Sequence, residues 1–108
     1  METVFYNDPF CILDNIFREL WPEKEYRAKW VASIKDENGV DMCGVTEFVP
    51  EYVPVISVSG KLDILDAMEI FAHELAHVAV GIDSEHGAEW EAAFELLHAR
   101  YMERVAHE

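Results

Sequence analysis

The chain has 108 residues, 51% of them hydrophobic and 28% charged, with 22 acidic side chains against 8 basic ones and a formal net charge of −14. An apolar share of this size excludes an acidic disordered tail, and the length suffices for a core that needs no disulfide staples. Charge of this sign repels phosphate backbones, so direct nucleic-acid binding is not expected; the cations show only a loose grouping between Lys24 and Lys35.

There is no internal repeat, low-complexity tract or Gly/Ser-rich linker, which predicts a single domain over 1–108. The amino end lacks the positive residue ahead of an apolar run that a secretory signal requires, and no apolar stretch approaches the ~20 residues needed to cross a bilayer. A soluble, cytoplasmic protein without a membrane partner is the expectation. Cys11 and Cys43 have no metal-type spacing and read as ordinary buried thiols, with a bridge between them as the alternative.

Asp8-Pro9 offers a helix cap and a first-turn proline, and Phe10, Leu13, Ile16, Phe17 and Leu20 follow at helical spacing up to Trp21-Pro22. From Lys29 to Gly60 β-branched and aromatic residues dominate, and Asp36-Glu37-Asn38-Gly39 supplies an Asn-Gly turn signal. A small three-stranded antiparallel sheet is predicted, with strands near 28–35, 40–49 and 52–59 and an edge position for the last, marked by Pro50 and Pro54. Asp63 or Asp66 can cap a helix that is apolar on most sides and stops at Gly81. Asp83 or Ser84 caps a last helix near 85–105, on which Trp90, Phe94, Leu97 and Tyr101 form a stripe. The class is α+β.

The chemistry lies in His73-Glu74-Leu75-Ala76-His77. Four residues of helix bring the two imidazoles to within about 40° of each other and roughly 6 Å along the axis, so both can grip one ion. Zinc takes neutral imidazole nitrogens in a tetrahedral shell, with an open position when the site is catalytic. Glu74 lies beside such an ion rather than on it, where it can take a proton from attacking water and pass it to a leaving amine. A third ligand must come from elsewhere: His86, which follows the Gly81 break and precedes Gly87, is the choice, and Glu89 is the competitor.

The pentad followed by His86-Gly87-Ala88-Glu89-Trp90 resembles the SprT-like zinc metallopeptidases of the Spartan type, whose pattern is HExxH and then HGxxF or HGxxW. The resemblance covers about residues 60 to 95 and implies a zincin-like core with one zinc per chain. It implies ligand roles for His73, His77 and His86, a catalytic base in Glu74, and a protein or peptide substrate. Fuller members add a cysteine-rich zinc ribbon or DNA-binding segments, which these 108 residues do not contain. The metzincin pattern is not met, because Val80 and Asp83 stand where it requires Gly and His.

Other residues carry two readings. Trp90 reads as core, with a wall of the site as the alternative; His98 and Tyr101 read as packing or exposed residues, with oxyanion donors as the alternative. Asp66 is a helix cap or an orienter of an imidazole, and His107 is solvated. The strand at 52–59 offers an edge to which an extended peptide could add. Two rival functions stand beside the peptidase: a zinc-stabilised adaptor without turnover, and an acidic mimic of nucleic acid.

Overall fold

The computed structural model describes residues 8–81 and 87–106. Its first helix, α1 (Pro9–Leu20), starts as the sequence predicts: Asp8 accepts a hydrogen bond from the Phe10 amide at 2.8 Å, and Pro9 occupies the first turn. Ile12, Leu13, Ile16 and Phe17 are buried, one stripe of the helix. Cys11 falls off that stripe and is exposed, as is Cys43 in the sheet region; both thiols are free, which overturns the expectation of buried or bridged cysteines.

The sheet differs from the expected meander. Strands β1 (Arg27–Val31), β4 (Gly44–Glu47) and β5 (Val55–Ser59) form a three-stranded sheet in the order β1-β5-β4, while β2 (Ile34–Lys35) and β3 (Asp41–Met42) pair in a separate hairpin. β1 runs parallel to β5, from Arg27↔Val55 to Val31↔Ser59, and β4 runs antiparallel to it, from Gly44↔Val58 to Glu47↔Val55. The sheet is therefore mixed, and the strand expected at its edge lies in its middle. Both faces of β5 are covered: Ile56 and Val58 are buried, and so are Ser57 and Ser59. Pro54 stands just before this central strand, where its missing N–H interrupts no ladder and its carbonyl accepts from the Arg27 amide at 2.9 Å. The Asp36-Glu37-Asn38-Gly39 turn forms between β2 and β3, with the Asp36 carboxylate accepting from the amides of Asn38 and Val40 at 2.8 and 2.9 Å.

Helix α2 (Ile64–Val80) is capped by Asp63, whose carboxylate accepts from the Asp66 amide at 2.8 Å; Asp66 itself is an exposed first-turn residue. Gly81 ends the helix with φ at 92°, a conformation that favours glycine, and its amide reaches the His77 carbonyl at 2.9 Å. Helix α3 (Ala88–Ala106) follows, burying Ala93 and Leu97; the expected caps Asp83 and Ser84 lie outside the described residues. Phe17, Leu13, Ile16, Ile56, Leu75 and Leu97 form the most deeply buried part of the core, joining all three helices to β5. Arg104 on α3 reaches back to Glu19 on α1 at 2.9 Å across 85 positions of sequence. Among the described residues no helix is long and apolar enough to cross a membrane.

Tyr26 closes the core beneath α1. Its ring meets Phe17 edge-on with centroids 5.2 Å apart, and its hydroxyl donates to Asp14, which also pairs with Arg18 at 3.0 Å. Burial, then the Asp14 hydrogen bond, pushes the Tyr26 phenol well above the ordinary tyrosine range. The folded state thus holds this proton more tightly than the unfolded chain, so the stabilisation is complete below about pH 10 and is lost as pH rises beyond it. Urea midpoints measured from pH 8 to 11 should fall more steeply for the wild type than for Tyr26→Phe, which should be less stable by about 1 kcal/mol at neutral pH.

Candidate metal centre

His73 and His77 stand one turn apart on α2, both half-buried, and their Nε2 atoms are 3.3 Å from each other. Two imidazole nitrogens each about 2.0–2.1 Å from one ion, subtending the tetrahedral angle, lie roughly 3.3–3.4 Å apart. The separation of the two nitrogens therefore suits two corners of a zinc shell. The same separation suits a hydrogen bond in which one ring is the Nε2–H tautomer and the other accepts, and an ion would displace that proton.

Trp90 covers the pair. Its indole N–H donates to the His73 carbonyl at 3.2 Å, and its ring centroid lies 4.7 Å from that of His73 and 5.6 Å from that of His77. The residue is half-buried: it packs against the core, as its place on the stripe predicts, and it also walls the site. The reason lies in ring stacking along α3: Phe94 lies 5.3 Å from Trp90 at an interplanar angle of 15° and 6.5 Å from His73, which turns the indole over the imidazoles. His98 continues this stack at 6.3 Å from Phe94, but it is exposed and lies about 12 Å along the helix from Trp90. With Tyr101, Leu13 and Met68 it lines a separate cavity of 170 Å³ toward the amino end of α2.

Glu74 stands about 100° round the helix from His73 and about 60° from His77, on the flank of α2 that faces the sheet. It is 7% exposed, and its Oε1 accepts from the Thr46 hydroxyl on β4 at 2.8 Å. β4 comes this close because Gly44 has no side chain. A Cβ placed there would lie 2.5 Å from Ile70 Cγ2, 3.2 Å from the Ser57 carbonyl oxygen and 3.6 Å from Glu74 Cγ. Neither Gly44 nor Thr46 was singled out by sequence; the available signal is a glycine and a hydroxyl residue two apart on one strand face.

His86 and His107 lie outside the described residues. Glu89 is exposed on the first turn of α3, and among the described residues no three His, Cys, Asp or Glu side chains form a group able to hold an ion. Comparison with family models, with curated proteins and with solved structures finds no match.

The contact between Gly44 and Ile70 predicts that Gly44→Ala lowers stability by about 1–3 kcal/mol through overpacking. Adding Ile70→Ala should recover part of that loss, so the double variant should unfold at a higher urea concentration than the two single losses would give if they summed.

Proposed function

We propose that the chain is a zinc-dependent peptidase with a zincin-like, SprT-like core, in which His73 and His77 hold the ion and Glu74 serves as general base. The observation that carries this reading is the 3.3 Å between two Nε2 atoms on one helix face, with a buried carboxyl group on the residue between them and the sheet. His86 is the third ligand in this reading.

A bound zinc ion supplies Lewis acidity that acidifies water and polarises a peptide carbonyl. The protein's own groups do the rest. Glu74 accepts a proton from the attacking water and returns it to the departing amine, a task that needs a carboxyl group held in one place. Trp90 excludes solvent from the outer side of the imidazoles and fixes their helix against α3. The substrate's extended backbone has an edge to follow in β4, which borders the sheet and lies against α2 at Gly44. This role passes to β4 from the segment at 52–59, whose strand β5 has neighbours on both sides. A structural zinc site gains nothing from a buried carboxyl beside the ion, which favours the enzyme over the adaptor.

Metal analysis of purified protein should give about one zinc per chain. Glu74→Gln should keep the zinc yet cleave a reduced, unfolded protein about 10²–10⁴-fold more slowly. Equal turnover by wild type and variant would remove Glu74 from the mechanism, and zinc without any turnover would leave the adaptor reading.

A further inference from the structure

We propose that Thr46 is a positioning residue for Glu74: its hydroxyl, carried on the edge strand β4, sets the rotation of the base's carboxyl group during peptide hydrolysis. The inference rests on the peptidase reading above. Its basis is a match between two repeats. Residues two apart on a strand share a face, so Gly44 and Thr46 both look toward α2; residues four apart on a helix share a face, so Ile70 and Glu74 both look toward β4. Gly44 makes room for Ile70 and for the Glu74 methylene, and Thr46 then reaches the Glu74 Oε1 at 2.8 Å.

The two partners differ in stiffness. The last torsion of a glutamate side chain is broad, so the carboxyl plane is set by whatever binds its oxygens. Threonine has a restricted first torsion, and Thr46 sits on a strand paired to the central β5 through Thr46↔Ile56. The hydroxyl is therefore a fixed donor on the sheet, and the Glu74 carboxyl is the element that yields to it. Because β4 is also the strand offered to substrate, one bond ties the orientation of the base to the strand along which the scissile peptide would run. A proton acceptor acts only within hydrogen-bond reach and in the right direction, so loss of this bond should slow the chemical step more than it weakens substrate binding.

Thr46→Val keeps the shape and removes the hydroxyl. In zinc-loaded protein its kcat should fall about tenfold or more with KM within about twofold of wild type, since a hydrogen bond to a charged group is of that size. Thr46→Ser, which restores the hydroxyl, should recover most of the loss, and the zinc content of both variants should equal that of wild type. A second readout needs neither metal nor activity. In metal-free protein Thr46→Val should lower the urea midpoint when Glu74 is present and by no more than half as much in the Glu74→Leu background. Equal midpoint shifts in the two backgrounds, or an active wild type whose Thr46→Val variant keeps kcat within about threefold, would overturn the inference alone. A wild-type chain that neither holds zinc nor cleaves would overturn the peptidase reading, and this inference with it.

Discussion

A helix that passes between a sheet and another helix must be apolar, yet α2 carries a carboxyl group and two imidazoles in its middle turns. Polar groups taken from water without partners cost several kcal/mol, so each of these needs a neighbour held in place by the rest of the fold. Thr46 meets Glu74 from the sheet side, and Trp90 covers His73 and His77 from the helix side. Gly44 admits the first contact by omitting a side chain, and the stack of Phe94 on Trp90 directs the second. Much of what surrounds the second half of α2 can be understood as compensation for His73, Glu74 and His77 among its buried apolar residues.

That division also separates two kinds of chemistry along one helix. The imidazoles meet aromatic rings of α3, with their two Nε2 atoms together; the carboxyl looks toward β4, where the Thr46 hydroxyl donates to it. A carboxyl group and a pair of imidazoles are thereby kept on different supports, one set by the sheet and the other by α3. Fixed supports on rigid elements are what a reacting geometry requires, since small displacements of a catalytic group reduce rates sharply.

Features governed by neighbouring residues could be read from the chain directly. The Asp8-Pro9 start, the Asn38-Gly39 turn, the Gly81 stop and the four-residue spacing of His73 and His77 each involve groups within one turn of each other, and each takes the expected form. Features decided by distant partners could not. The alternation in Val55-Ile56-Ser57-Val58-Ser59 resembles a strand with one wet face, but the two serines are small enough to be buried beneath neighbouring elements, which lets β5 become central and accept β1 in parallel. Gly44 and Thr46 look like ordinary strand residues until α2 is laid across them. Trp90 fits a core stripe equally well whether it packs on leucines or on imidazoles, and the choice depends on the angle of α3.

The clasp between Glu19 and Arg104 has a consequence for biosynthesis. α1 is made before α3, yet the surface it docks against includes α3, with Arg104 lying 85 positions after Glu19. Parallel pairing of β1 with β5 likewise waits until the chain has looped back, and such long-range closures slow folding relative to bundles of local contacts. Until α3 has been made, Leu13, Ile16 and Phe17 therefore lack part of their final cover, so a nascent chain stalled before α3 presents a sticky amphipathic helix to chaperones and to other nascent chains.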